Sequence, residues 1–379
     1  MDSPFDIRDM RPRDLAEADR IAEMWFRSQE GWPGGWNGGQ RVTAAQQLEQ
    51  EERHNPLATL LAVEGAGEAE EVVGYCRLER LGGRPDMAYV ALLNVRQDRR
   101  GRGIGKALVL ACLERARAAG CPLLSIGTWA GNLSAVPLYK RCGFNWIPET
   151  NVEMLNFVPA ALTLPIAQPY FAQHDWYATM ACEIAVEPDD VRWHGQRVYP
   201  YRWRGGDGAE LALWVDSRAE ALTAVETEDW YLACWVRGWG AGEEDDEVVG
   251  GLPAEVTWEL VNRRPERGPR RLSLSAVGDE GLPLRLTESV EVADRVVLRR
   301  TFTPPADLPR RPDGLPARQI RSTVLLPDGT PVELGSAVNW RAPFEISLNA
   351  PPLSPGRPST RARLQLRSRL PRAVRAEVR

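Results

Sequence analysis

A chain of 379 residues has room for two or three domains and excludes a single small module. With 43% hydrophobic and 26% charged residues, it fits neither a disordered chain nor a membrane bundle. The net charge of −5 hides an uneven spread: residues 1–150 carry 19 basic and 20 acidic groups, 151–356 carry 20 and 31, and 357–379 carry 8 and 1. Lys106 and Lys140 are the only lysines among 47 basic residues; arginine suits anions, but genome base composition produces the same bias. The 33 glycines and 30 prolines predict many turns and a β-rich portion. Six cysteines without a C-x-x-C spacing and three histidines speak against zinc and disulfide frameworks, so no metal is expected. The start Met1-Asp-Ser-Pro-Phe-Asp lacks a leader pattern and no long apolar run occurs, which predicts a soluble, cytoplasmic protein without a membrane partner.

In chain order, Phe5 and Ile7 alternate as a short strand. Asp14 with Glu17 makes a capping-box signal, followed by the helical stripe Leu15, Ala18, Ile21, Ala22 and Trp25. Thr43 with Gln46 repeats that signal for a second helix. Strands are predicted over 59–63, 72–78 and 87–95, with Gly82-Gly83 turning between the last two. A helix follows over 103–119, ended by Gly120, then a strand over 123–128, a short helix over 134–141 and a strand over 152–157.

Beyond Pro159 the composition changes: Trp176, Trp193, Trp203, Trp214, Trp230, Trp235 and Trp239 crowd one stretch. One helix is predicted over 169–184, then strands over 198–203, 211–215 and 230–236. The acidic GAGEEDDE of 240–247 reads as a linker. About seven runs of period-2 alternation follow, from Val256/Trp258/Leu260 to Phe344/Ile346/Leu348, the pattern of an immunoglobulin-like β-sandwich of bacterial type without the Cys…Trp…Cys signature. Gly356-Arg-Pro-Ser-Thr-Arg-Ala-Arg-Leu-Gln-Leu resembles the opening at Gly251, so the tail reads as the start of a second sandwich or as a chance likeness of two strands. The expected organisation is an α+β multidomain chain: 1–158 mixed α/β, 159–247 Trp-rich, 248–352 sandwich and 353–379 an Arg-rich tail.

The chemistry concentrates in Leu93-Asn-Val-Arg-Gln-Asp-Arg-Arg100-Gly-Arg-Gly103-Ile-Gly105-Lys106, where an apolar strand runs through a basic, glycine-rich turn into a helix. Gly101, Gly103 and Gly105 let the backbone approach a ligand, and the exposed N–H groups at a helix start favour phosphate. Arg99, Arg100, Arg102 and Lys106 add formal charge. The spacing is neither a Walker A loop nor a G-x-G-x-x-G dinucleotide turn, and by itself an Arg-Gly helix start can be purely structural. A second element lies beyond the next strand: Asn132-Leu-Ser-Ala135-Val-Pro-Leu138-Tyr139-Lys-Arg-Cys-Gly143-Phe144.

Taken together, [Arg/Gln]-x-x-Gly-x-[Gly/Ala] at 100–105 and Asn-x-x-Ala-x-x-Leu-Tyr-x-x-x-Gly-Phe at 132–144 resemble the GNAT family of N-acetyltransferases over residues 5–158. The resemblance implies a splayed mixed sheet with acetyl-CoA as cosubstrate between the strands ending at Val95 and Thr128. It implies backbone groups of Leu93 and Val95 on the acetyl carbonyl and pantetheine arm. The amides of Arg100, Gly101, Arg102, Gly103, Ile104, Gly105 and Lys106 would hold the pyrophosphate, and Asn132 the pantetheine or the following helix. Tyr139 would be the general acid for the CoA sulfur. Where histone-type members carry a carboxylate, this chain has Tyr89, which leaves Glu79 or a water chain near Asn94 as base. Trp32 and Trp36, in Gly31-Trp32-Pro-Gly-Gly-Trp36, would line the acceptor pocket with Tyr89 or else pack their loop.

The implied activity is acetyl transfer to a small-molecule or peptide amine. Chemically, an alkyl amine of pKa near 10.4 is only about 0.1% neutral at neutral pH, so its deprotonation or desolvation costs about 4 kcal/mol. The competing expectation is a non-catalytic acyl-CoA sensor or scaffold in which the sandwich binds a partner, and a homodimer stays open. Nucleic acid is not the expected partner: the Arg-rich tail alternates Arg361/Arg363 with Leu364/Leu366 as an amphipathic strand would.

Overall fold

The computed structural model describes residues 5–28, 36–240, 242, 245–309, 311–312, 315–349 and 363–370. The chain divides into two compact units, Met1–Asp190 with Tyr201–Gly208, and Val191–Pro200 with Ala209–Arg379. Among the described residues no helix is long and apolar enough to cross a membrane.

In the first unit, β1 (Asp6–Asp9) leads into α1 (Leu15–Phe26) and α2 (Ala44–His54). Asp14 caps α1 by accepting from the N–H of Ala16 and Glu17. The reciprocal half of the expected box is not made, because the buried Glu17 carboxylate accepts from the Arg11 amide and the Arg8 guanidinium. For α2 the box is complete: Thr43 Oγ1 accepts from the Gln46 N–H and the Thr43 N–H donates to Gln46 Oε1. Ala18, Ile21, Ala22 and Trp25 bury one stripe of α1 as expected, but Leu15 stays 56% exposed.

Strands β2 (Ala58–Glu64), β3 (Glu71–Arg80), β4 (Met87–Val95), β5 (Leu123–Thr128), β6 (Phe144–Trp146) and β7 (Val152–Asn156) form a sheet of order β1-β2-β3-β4-β5-β7-β6. Only β4 and β5 pair in parallel. Helix α3 (Ile104–Ala118) covers one face, where a Cβ on Gly74 would meet Ile104 Cγ2 at 2.9 Å and Leu108 Cδ1 at 3.0 Å. On the other face Trp25 of α1 meets Tyr75 of β3 edge-on at 5.4 Å, inside a cluster with Ile21, Met24, Leu61, Val63 and Val72. That cluster packs α1 onto β2 and β3, with Leu92 of β4 packed against it.

After α4 (Val136–Arg141) come three single turns, α5 (Val158–Ala161), α6 (Gln168–Phe171) and α7 (Trp176–Thr179), and the two-residue β8 (Met180–Ala181). The continuous helix expected over 169–184 is therefore broken: Asp175 restarts the chain as a new N-cap for α7, accepting from the Ala178 N–H, and Met180 leaves it extended. Residues 201–208 return to this unit. The buried Tyr201 hydroxyl donates to Gly143 O (3.1 Å) and accepts from Asn145 Nδ2 (2.8 Å) and the Phe157 N–H (2.9 Å). Tyr201→Phe is expected to lower unfolding stability by about 3 kcal/mol, because buried polar partners lose their only shared oxygen. An unchanged denaturant midpoint would refute this.

Among its described residues the second unit is built of strands apart from the 3-10 turn Pro265–Arg267, and of the strand Gln196–Arg204 it includes only residues 196–200. It comprises β9 (Val191–Trp193), β10 (Gln196–Arg204), β11 (Glu210–Asp216), β12 (Ala221–Glu226), β13 (Trp230–Gly238), β14 (Glu247–Val249), β15 (Ala254–Asn262), β16 (Arg270–Gly278), β17 (Arg285–Val292), β18 (Arg295–Phe302), β19 (Gln319–Leu325), β20 (Pro331–Ala337), β21 (Asn339–Arg341), β22 (Phe344–Asn349) and β23 (Arg363–Ser368). One sheet runs β18-β15-β13-β12-β11-β10 and a second β17-β16-β19-β20. Buried Trp258 of β15 donates through Nε1 to Ser322 Oγ of β19 at 2.8 Å, so the two sheets face each other as a sandwich. The acidic stretch read as a linker is a connection within one sheet, since β13 pairs with β15 from Trp230↔Asn262 to Gly238↔Ala254. Composition does not distinguish such a connection from a domain boundary, and of its described residues Asp246 is buried, accepting from Asn339 Nδ2 at 2.8 Å and from the Arg218 guanidinium. In the tail, β23 pairs back onto β22 as a two-stranded sheet.

Candidate active site

The parallel β4–β5 pair lasts only from Met87↔Leu123 to Val90↔Ile126. At the next residue β4 carries a bulge: Leu78 faces Val90 and Arg77 faces Leu92, so Ala91 has no partner on β3. The bulge bends β4 away while β5 stays bound to β7 through Gly127↔Glu153 and Thr128↔Val152. The strands splay, and a cleft of about 680 Å³ opens between Leu92–Val95 and Gly127–Thr128. Leu93 and Val95 line it, as do Asn132 and Tyr139.

The floor of the cleft is the start of α3. Gly101 and Gly103 hold φ of +78° and +86°, backbone that side-chain-bearing residues adopt at a cost. The first helical bond runs from the Ala107 N–H to Gly103 O, which leaves the N–H groups of Ile104, Gly105 and Lys106 without an intrahelical acceptor. A Cβ at Gly105 would stand 3.2 Å from Leu138 Cδ2, so this glycine lets α3 approach α4. These amides, with Gly101, Gly103, Ile104, Gly105 and Lys106 all lining the cleft, make an electropositive cradle of the kind that suits an anion.

The surrounding cations are less free than their sequence positions imply. Arg99 donates to Glu64 at 2.8 Å and to Asp98 at 2.7 Å, and Arg102 lies 3.8 Å from Glu64. Arg100 donates through Nε to Val95 O at 3.2 Å, bracing the turn against the end of β4. Lys106 Nζ stands 5.3 Å over the ring of Tyr177.

Tyr139 is only 6% exposed, its ring 6.2 Å from Phe144, and burial pushes its hydroxyl well above the usual value of 10. Asn132 donates through Nδ2 to Thr128 Oγ1 at 3.0 Å and accepts from Ser134 Oγ at 3.2 Å. It thereby ties the end of β5 to the turn that enters α4.

The residues expected on the acceptor side separate. Glu79 does not line the cleft: it is held by Arg77 Nε at 2.7 Å and His54 Nδ1 at 3.2 Å, on the strand next to β4. Tyr89 sits across from Glu79 and Ser125, and its hydroxyl approaches Gly127 at the edge of the cleft. Burial raises the Tyr89 phenol, reinforced by the negative charges of Glu153 and Glu79. Trp32 lies outside the described residues, and for Trp36 the structure describes only the backbone of the turn Trp36–Gly39. Among the described residues lining the cleft there is no carboxylate and no imidazole.

Among the lining residues without a sequence signal as site residues are Trp129, Arg141 and Tyr177. Arg141 falls inside the second motif, at a position that the motif leaves open. Tyr177 lies in the Trp-rich stretch, where an aromatic is one among many. No group of three His, Cys, Asp or Glu that could hold a metal occurs among the described residues.

Comparison with known proteins places these features. Residues 21–144 match the model of the acetyltransferase (GNAT) family. A mycothiol acetyltransferase of Pseudarthrobacter chlorophenolicus is 34% identical over 107 residues, 27% of this chain and 32% of that protein. The uncharacterized N-acetyltransferase YvbK of Bacillus subtilis is 33% identical over 61 residues, 16% of this chain and 39% of that one. An L-methionine sulfoximine/L-methionine sulfone acetyltransferase of Pseudomonas aeruginosa is 42% identical over 50 residues, 13% and 29% of the two chains. The chain thus spans about a third of the length of the curated relatives it matches. Among solved structures, a ribosomal-protein-alanine N-acetyltransferase from Brucella melitensis is 21% identical, covering 40% of this chain and 98% of that one with a TM-score of 0.32. A PaiA N-acetyltransferase from Thermoplasma acidophilum in complex with coenzyme A is 15% identical, covering 40% and 98% with a TM-score of 0.31. With both motifs, the splayed parallel pair and the family match falling on the same stretch of chain, residues 21–144 are a GNAT acetyltransferase domain.

Proposed function

We propose that the protein is an acetyl-CoA-dependent N-acetyltransferase that moves the acetyl group to a small-molecule or peptide amine. The observation that carries this reading is one cleft that joins the open edge of β4, at Leu93 and Val95, to the orphan amides that start α3. A thioester with a pyrophosphate at its far end needs that pair of features: a strand edge for the amide-bearing arm and an anion cradle for the diphosphate. The amides of residues 100–106 hold the pyrophosphate, and Asn132 keeps the wall of β5 in place. The neutral amine nitrogen attacks the carbonyl carbon. The charge that develops on oxygen is met by the Leu93 N–H, the C–S bond breaks, and the departing sulfur is stabilised by the Tyr139 hydroxyl.

Because no carboxylate is found among the described residues that line the cleft, the ammonium proton leaves through water, with Glu79, across from Tyr89 on β3, as a candidate final acceptor. The sandwich is proposed as an interaction module of immunoglobulin-like kind that supports the catalytic unit. Isothermal titration with acetyl-CoA should show one site per chain, and a panel of amines, aminoglycosides, polyamines and peptide N-termini should reveal an acceptor by CoA release. No binding at millimolar acetyl-CoA would overturn the proposal. Tyr89 at the strand position where histone-type members carry a carboxylate favours one second reading, an acyl-CoA sensor, which predicts binding without CoA release for every amine.

A further inference from the structure

We propose that Tyr177, from a segment following the family-matched residues, is a specificity-determining wall for the purine end of the nucleotide-bearing thioester; this inference rests on the acetyl-CoA reading above. The family match ends at residue 144, yet Tyr177 lines the same cleft as the amide cradle of α3. Local contacts anchor the turn that carries it. Asp175 caps the turn below it, with Ala178 N–H to Asp175 Oδ1 at 2.7 Å and Thr179 Oγ1 to Asp175 O at 2.8 Å. The following β8 pairs with residues 202–203, and Met180 Sδ packs beside Gly143 of the second motif.

The ring itself is not absorbed by the core. Tyr177 is half-buried, touches Trp176 edge-on at 5.6 Å, and carries Lys106 Nζ over its ring at 5.3 Å. Lys106 belongs to the cradle and Arg141 lies on the same wall, so an aromatic surface and two cations meet at the phosphate end of the cleft. That combination suits a phosphorylated nucleoside: cations meet the phosphates, and an aromatic side chain stacks on any base whatever its edge pattern. A thioester lacking the nucleotide has nothing to offer this wall.

The test uses the full chain and two donors, acetyl-CoA and acetyl-pantetheine, with binding read by calorimetry. The wild type is expected to bind acetyl-CoA much more tightly than acetyl-pantetheine. Tyr177→Ala should weaken acetyl-CoA by about 5- to 100-fold, the range of one base–aromatic stack. The same variant should bind acetyl-pantetheine as the wild type does, which also shows that it is folded. Tyr177→Phe keeps the ring and should stay within about 3-fold of wild type on acetyl-CoA. An unchanged acetyl-CoA affinity in Tyr177→Ala, or equal losses on both donors, would overturn the assignment while leaving the acetyltransferase reading standing. Failure of the wild type to bind either donor would instead overturn that reading, and this inference with it.

Discussion

Tyr139→Phe is expected to lower kcat about 100- to 1000-fold while leaving acetyl-CoA affinity within about 2-fold, the effect of removing one aligned donor from a developing charge. The hydroxyl is the group at stake because the described residues lining the cleft offer no carboxylate or imidazole to replace it. Its role is narrower than proton delivery. A phenol held well above 10 is less acidic than an ordinary thiol of about 8.5, so full transfer of its proton to the leaving thiolate runs uphill. Donating a hydrogen bond to sulfur as charge builds has no such penalty and acts mainly in the transition state. The sign of the pH dependence follows: with its pKa raised, Tyr139 stays protonated through neutral and mildly alkaline pH. It therefore contributes no loss of rate below pH 10, and the rate rises with pH as the amine deprotonates. A stopped acetyl-CoA assay from pH 6.5 to 9.5 checks both points. Wild-type rates in Tyr139→Phe would remove the residue from the chemistry, and a loss of binding would make it structural.

Gly103→Val should weaken acetyl-CoA by about 10- to 100-fold, equivalent to about 1.4–2.8 kcal/mol. Gly103 is the N-cap of α3 at φ +86°, with nothing within 4 Å of where a Cβ would stand, so crowding is not the obstacle. The obstacle is backbone conformation. A β-branched residue in left-handed backbone costs about 1–3 kcal/mol, and the turn relieves it by rotating the peptide units that aim amides at the cleft. Charge-assisted bonds to those amides are each worth about 1.5–3 kcal/mol, so misaiming one accounts for the loss. Gly83→Val is the matched control. Gly83 turns β3 into β4 at φ +76°, also with open space around it, and does not line the cleft. Both variants should lose similar thermal stability, and only Gly103→Val should lose affinity. Equal affinities in the two would show that the cradle amides do not bind the donor.

What could be read from residues alone was whatever local chemistry specifies. Thr43 with Gln46 forms its box three residues apart, and the Gly101–Gly105 turn enters α3 because glycine there permits backbone that other residues resist. The second motif places Tyr139 and Asn132 on one wall through a helix of six residues. Where two local signals competed, the sequence was ambiguous. Glu17 had the spacing of a capping partner, but Arg8 and Arg11 claimed its carboxylate. Asp175 broke a stretch that read as one helix over 169–184.

The sequence by itself determined the acetyltransferase domain, its glycine cradle and the α+β class, because caps, turns and motif spacings are interactions within a few residues. Tertiary structure decided the rest, because strand pairing and ion pairing join residues that no local period connects. It put β13 and β15 side by side across an acidic stretch, held Glu79 on Arg77 and His54 outside the cleft, and brought Tyr177 under Lys106. Arginine is abundant everywhere in this chain, so charge along the sequence could not show which guanidinium groups are already satisfied. Only the folded neighbours of Arg99 and Arg102 show that Glu64 shares them, and that the cradle's electropositive character rests first on backbone amides.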